Sequence, residues 1–386
     1  MDWFQETTEE ESPFDRVAIG QRVRAERTRL GFKQVPFAES VGMSQASYSR
    51  LENGQLPLAA ITSEVLSSLS YALGKTMGYL LEGSPVRDRV RLAARGDDGG
   101  DVASRADRVL SLLEVDDDLD DAGLASVPVE QAWTDVAHSA LTSGRASKAQ
   151  GVNLALHLRN ELGLGSDPLP GLHDVVEERL GIDLAVVPLT GGLSAVAAFD
   201  DERHVVVAGV NISEPYARQR FSLAHEVAHI LFGDSHSETA DRDIYEMRAD
   251  KFAQTLLIPG DGIKNWIAAA GLPTGRGPLD YTAACLLAEA YGVSPKTAWI
   301  ALGDLGLKPT ADAPTARAAA IETSHLTEHI QREKAAKVER IPARIEARVL
   351  AALRAGLINA AAAAAALGQD PSDLRPDEVD TELAPA

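Results

Sequence analysis

One cysteine, Cys285, is the whole thiol content of this 386-residue chain. It cannot form an internal disulfide, it removes any Cys-based zinc finger, and it fits a reducing cytoplasm. No uninterrupted apolar run reaches the roughly 18 residues that a membrane-spanning helix needs, so no membrane span is expected. The N-terminal stretch MDWFQETTEEESPFD is acidic and has no apolar core, so it does not read as a secretory signal. Basic charge is also scarce. Lys and Arg number 37 against 57 Asp and Glu, a net −20, which argues against non-specific attraction to nucleic acid. What is present suits a folded protein: 45% of residues are hydrophobic and 24% charged. The length predicts about two or three domains.

The average charge hides a basic segment. Residues 16–60 carry seven basic residues and three acidic ones, a local balance of +4. Residues 1–15 read as a disordered acidic tail, and 16–85 as a domain of several short helices. Residues 86–146 read as a linker and helical connector: a Gly/Asp-rich break at 95–101, an amphipathic helix over 102–114, then the acidic run VDDDLDD as a solvated loop or helix start. Two helices are expected between 127 and 163. The period then shortens, and Asp183–Pro188, Leu193–Phe199 and His204–Val210 read as short strands between helices. Helical spacing returns at 215–232, 243–257, 261–270, 279–291 and 294–305. Residues 309–386 read as an Ala-rich helical region with a frayed end. There His325 and His329 sit among Glu322, Glu328 and Arg332 and read as a solvated helix face.

In the basic segment, Arg16–Leu30 forms an amphipathic helix with Val17, Val23 and Leu30 inward. A second helix opens at Lys33-Gln34. Ser44 is an N-cap for a third, Gln45–Glu52, which Asn53-Gly54 closes. On that third helix Gln45 and Ser47 can bond base edges, Ser49 and Arg50 can reach phosphates or bases, and Tyr48 and Leu51 face inward. The pattern Gln34, Ala38, Gly42, Ser44-Gln45, Ser49-Arg50-Leu51-Glu52 and Gly54 resembles the helix-turn-helix of lambda-repressor/Cro-like (XRE-type) regulators. The one departure, Pro36, lies near the first turn of its helix, where it is tolerated. The resemblance implies a double-stranded DNA operator bound through residues 16–85, with Gln34, Ser44, Gln45, Ser47, Ser49 and Arg50 as contact residues. It also implies a homodimer, because one module covers only a half-site.

The strongest chemical signal is His225-Glu226-Val227-Ala228-His229. Positions i and i+4 share a helix face, so His225 and His229 can hold one metal ion, with Glu226 beside them as a general base. The apolar flanks, Phe221–Ala224 and Ile230–Phe232, bury this helix, and buried polar rings need partners. A catalytic zinc takes three protein ligands and keeps a position open. Candidates for the third are Asp234, His236, Glu238, Asp241, Asp243, Glu246 and Asp250. Glu246 is favoured because it starts a second helix, on which Asp250, four residues on, can orient a ligand histidine.

From the strands ending at Asn211, through Arg218–His229, to Glu246-x-x-Ala249-Asp250-x-Phe252-Ala253 and Leu256–Pro259, the chain resembles the ImmA/IrrE family of metallopeptidases. The similarity runs from about 148 to 305. The resemblance implies an α+β architecture: an N-terminal all-helical helix-turn-helix domain, a mainly helical zincin-like domain with a small β-sheet over 147–308, then a helical C-terminal extension over 309–386. It implies one Zn2+ per chain held by His225, His229 and Glu246, with Glu226 as catalytic base. Asp250 stands where the family often has Asn. An oxyanion donor is also needed, with Tyr216, His236 and Tyr245 as candidates. Arg218 and Arg220 could bind substrate carboxylates or serve packing. The family's activity implies cleavage of a partner repressor in a stress or mobile-element response. The fusion leaves open recruitment to a substrate on DNA, self-cleavage in the linker, and a non-proteolytic regulator or antitoxin-like protein that uses the peptidase fold as a sensor.

Overall fold

The computed structural model describes residues 14–95, 102–124, 147–169, 171–233, 242–272, 279–307, 323–372 and 374. The tail at 1–13, most of the Gly/Asp-rich break, the first helix expected after 127, His236 and the chain end lie outside them. The fold is α+β. In chain order the α-helices of four or more residues are α1 (Arg16–Arg29), α2 (Gln34–Ser40), α3 (Gln45–Glu52), α4 (Ser63–Leu73), α5 (Met77–Glu82), α6 (Val86–Arg89), α7 (Val102–Arg105), α8 (Asp107–Asp121) and α9 (Lys148–Glu161). They continue as α10 (Tyr216–Phe232), α11 (Arg242–Leu257), α12 (Gly260–Ala269), α13 (Tyr281–Tyr291), α14 (Pro295–Asp304), α15 (Thr323–Ala335), α16 (Ala343–Arg354) and α17 (Ala360–Leu367). The strands are β1 (Arg91–Arg95), β2 (Asp183–Val187), β3 (Ala195–Asp200) and β4 (Val205–Asn211). The chain divides into two compact units, one built from 1–88, 111–126 and 345–386, the other from 89–110 and 127–344.

In the first unit, α1 to α5 close around Ile19, Val23, Phe37, Tyr48, Leu51, Leu69 and Leu73. Ser44 caps α3 by accepting the Ser47 N–H at 3.2 Å. The acidic run is not a solvated loop here. It continues α8 to Asp121, and its carboxylates find cations. Asp116, fully buried, and Asp120 both accept from Arg348, while Asp118 accepts from Lys75 at 2.9 Å. The sequence gives no hint of this, because the pairing cations lie 43 residues before Asp118 and 232 after Asp116.

In the second unit the sheet order is β1-β3-β4-β2, antiparallel except for the parallel β2/β4 pair. The three strands legible in the sequence are present. β1, which lies in the stretch whose sequence predicts a connector, joins them as an edge strand on β3. A bidentate ion pair between Arg89 and the buried Asp200 anchors it (2.8–3.1 Å). Strand side chains alternate between faces. Ala195, Ala197, Phe199, Ala208 and Val210 face the main core with Leu223, Ala224 and Val227 of α10. On the other face Gly209 lets Val109 of α8 approach closely.

The β4–α10 turn is heavily tied down. The Asn211 side-chain amide donates to the Leu189 and Leu193 carbonyls (2.9 and 2.7 Å). Gln219 and Lys337 together bond the carbonyls of Ile212 and Glu214. The first N–H of α10, at Tyr216, donates to the Glu333 carboxylate at 3.1 Å, so a residue 117 positions away caps the motif helix. Gly233, with φ 67°, ends it in a left-handed cap.

Helix α11 is set by its crossing with α9. At Gly151 the two backbones are so close that an added Cβ would lie 2.2 Å from the Arg248 carbonyl oxygen and 2.9 Å from Phe252 N. Backbone cannot yield as a flexible side chain would. Gly151→Ala should therefore lower stability by about 1–3 kcal/mol, although alanine is otherwise the better helix residue by about 0.5–1 kcal/mol. Chemical denaturation of the two proteins checks it; equal or greater stability of the alanine variant would show that α9 and α11 are free to move apart.

Candidate metal centre and nucleic-acid interface

The metal constellation is built where α10 meets α11. Leu223, Ala224, Val227 and Ala228 bury one side of α10, and Ala249, Phe252 and Ala253 bury α11. The contact places His225 with no solvent exposure and Glu226 at 1%. His225 Nε2 and His229 Nε2 lie 3.0 Å apart. The Glu246 carboxylate closes the triangle, 3.2 Å from His225 Nε2 and 3.6 Å from His229 Nε2. Among the described residues these three form the group of His, Cys, Asp and Glu side chains that could share one ion. A tetrahedral zinc about 2.0–2.1 Å from each nitrogen or oxygen would hold its ligand atoms about 3.3 Å apart. The observed spacings bracket that value, and two imidazoles with one carboxylate are among the three-ligand sets that zinc accepts.

On its other side His225 donates from Nδ1–H to Asp250 Oδ1 at 3.0 Å. That bond leaves the Nε2 lone pair directed at the shared point. Glu246 and Asp250, one turn apart on α11, thus serve opposite edges of the two-histidine cluster. Of the other third-ligand candidates, Asp234, His236, Glu238 and Asp241 lie outside the described residues.

The remaining polar residues near the motif separate by burial. Arg220 is 3% exposed and donates to the Leu169 and Gly292 carbonyls, a packing role. Tyr216 stacks on Arg220 and Tyr245 on Arg248, with cation-to-ring distances of 5.4 and 5.1 Å. Arg218 stays exposed and, with Asp250, lines a cleft of about 440 Å3. Two of the three lysines of that cleft, Lys148 and Lys296, come from helices far apart in sequence and carry no spacing signal. In α15, His329 lies 3.7 Å from Glu289, and the side chain of His325 is outside the described residues.

In the first unit, Gln45 and Arg50 of α3 are exposed, and Ser47 and Ser49 are half-buried. The Ser44 hydroxyl is occupied as the cap and donates to Ser47 Oγ. Gln34 donates to Glu52 Oε2 at 2.7 Å, and Arg27 holds the same carboxylate at 2.6 Å. Gln34 therefore braces α2 against α3, while Gln45 and Arg50 present the outward surface. Tyr48 turns inward against Phe37, with ring centroids 5.5 Å apart.

The Asp250 contact makes a prediction. Asp250→Ala should weaken metal binding by about 10–100-fold, whereas Asp250→Asn, which keeps an acceptor oxygen, should retain most of it. Chelator competition measures both; equal affinity in all three proteins would remove Asp250 from the site.

Two family models match the chain. Residues 177–302 match the IrrE N-terminal-like domain and residues 23–80 match the helix-turn-helix. Among curated proteins, the chain is 32% identical over 153 residues to the radiation response metalloprotease IrrE of Deinococcus deserti, an alignment covering 36% of this chain and 50% of that protein. It is 34% identical over 146 residues to the protein of the same name from Deinococcus radiodurans, covering 35% of this chain and 41% of that protein. The chain thus spans half or less of the length of these relatives. β2–β4, α10 and α11 all lie inside the first match and α2–α4 inside the second, so the chain carries a helix-turn-helix segment followed by a segment similar to the IrrE N-terminal-like domain.

Proposed function

We propose that the chain is a DNA-associated, zinc-dependent endopeptidase that regulates transcription by site-specific cleavage of a repressor or another regulatory protein in a stress or mobile-element response. It would act in the cytoplasm as a homodimer on a double-stranded operator. The observation that carries this reading is the convergence of His225, His229 and Glu246 on one point, with Glu226 adjacent on the same helix. The likeness to two proteins named metalloproteases supports it.

In this reading His225, His229 and Glu246 hold one zinc. Bound there, the ion would polarise the scissile carbonyl and lower the pKa of water. Glu226 takes the proton of the attacking water and later delivers it to the leaving amine. Its burial, at 1% exposure, keeps bulk water away from that exchange. Asp250 keeps the His225 ring in the orientation and tautomer that ligation needs. On the DNA side, Gln45 and Arg50 read the groove, Ser47 and Ser49 stand beside them, and Gln34 and Ser44 hold the reading helix in position.

Two experiments test this. Zinc-loaded protein incubated with a soluble extract from its own cells should create one or a few new protein N-termini, detected by mass spectrometry. Glu226→Gln should keep zinc and fold but create none; identical N-termini from both proteins would leave a non-proteolytic regulator. For DNA, an operator selected from random duplexes should bind Arg50→Ala more weakly by about 1–3 kcal/mol. Unchanged affinity would move the interface off α3.

A further inference from the structure

The cleft beside the metal centre is of the opposite charge to the chain that contains it. In a protein of net −20, four cations line this one depression, Lys148, Arg218, Lys251 and Lys296, against two carboxylates, Asp250 and Asp304. Lys251 is spent on Asp304, which also accepts from Gln254 at 2.8 Å. Arg218 holds Glu214 at 3.1 Å. Lys148 and Lys296 are exposed, and neither forms an ion pair among the described residues.

The cleft also has an apolar surface. Phe221 is half-buried there, and Met247 and Ile300 are 42% and 41% exposed, a cost in water that a partner side chain would remove. Asp250 belongs both to this cleft and to the metal centre, through its bond to His225. The volume of about 440 Å3 lies within the range of sites that take a small molecule or a short piece of chain.

We infer that this cleft is the specificity site for the substrate chain, and that it selects an extended peptide presenting apolar side chains to Phe221, Met247 and Ile300 and acidic side chains to Lys148 and Lys296. Alternate residues of an extended strand point to opposite sides, so a sequence alternating apolar and acidic residues satisfies the floor and the cationic rim together. A bare polyanion such as nucleic acid would leave the apolar floor uncovered. The inference rests on the peptidase reading, because it takes the metal centre as the place where the bound chain is cut.

The test needs no turnover and therefore separates the two claims. Full-length Glu226→Gln protein is titrated against three fluorescein-labelled peptides, alternating Leu/Glu, Leu/Lys and Ser/Glu, with fluorescence anisotropy as the readout. The Leu/Glu peptide should bind at least about tenfold more tightly than either of the others, since each of them loses one of the two contact types. Adding Lys148→Glu and Lys296→Glu should reverse the charge preference, so that Leu/Lys becomes the better ligand. A variant that had merely lost its fold would bind neither peptide and could not show that reversal. Equal binding of Leu/Glu and Ser/Glu would reduce the site to a polyanion surface and overturn the inference. So would no binding by the parent protein, or a preference that survives charge reversal. Failure of the peptidase reading is seen separately, as the absence of Glu226-dependent cleavage.

Discussion

His225 is shut off from solvent, and a polar ring in that position must find partners for both nitrogens. One partner is Asp250 and the other is the point it shares with His229 and Glu246. Both carboxylates come from α11 and both imidazoles from α10. The site therefore exists only while those two helices keep their distance and rotation. Much of the second unit serves that requirement. Gly151 seats α11 against α9, and Arg248 packs its guanidinium 3.9 Å from the Phe232 ring near the end of α10. The buried Arg159 donates to the Leu256 carbonyl at the end of α11.

The start of α10 is held with equal care. Proline precedes Tyr216, so no local side chain caps the helix, and the capping falls to Glu333. Lys337 and Gln219 bond the carbonyls just before it, and the Val186–Arg340 bridge ties the same C-terminal segment to the sheet. A chain segment that follows the IrrE N-terminal-like match in sequence is thus built into the frame of its motif helix. Stability and site geometry are coupled here, because loosening α15 would release the N-terminus of the helix that carries both histidines.

The legible parts of the sequence were those with a short-range signal. Two histidines four residues apart, and two carboxylates four residues apart, share helix faces whatever the surrounding fold, and the structure brings His225, His229, Glu246 and Asp250 together. Strands β2 to β4 announce themselves through valine and alanine runs between turn residues. What could not be read depends on partners remote in sequence. β1 is strand because Arg89 finds Asp200, and the acidic run of α8 is buried helix because Arg348 and Lys75 reach it. Gln34 matches a motif position, and only the fold shows its amide committed to Glu52. The cationic cleft is of the same kind, since α9 supplies Lys148 and α14 supplies Lys296.

Metal content measured by elemental analysis tests the account most directly, on wild-type protein, His225→Ala and Glu246→Ala purified side by side. The account predicts about one zinc per wild-type chain, the stoichiometry of a site with three protein ligands, and its loss from both variants while their helical circular dichroism persists. A folded wild-type protein that takes up no metal even when zinc is supplied would contradict it, and would leave the meeting of α10 and α11 as a hydrogen-bonded core.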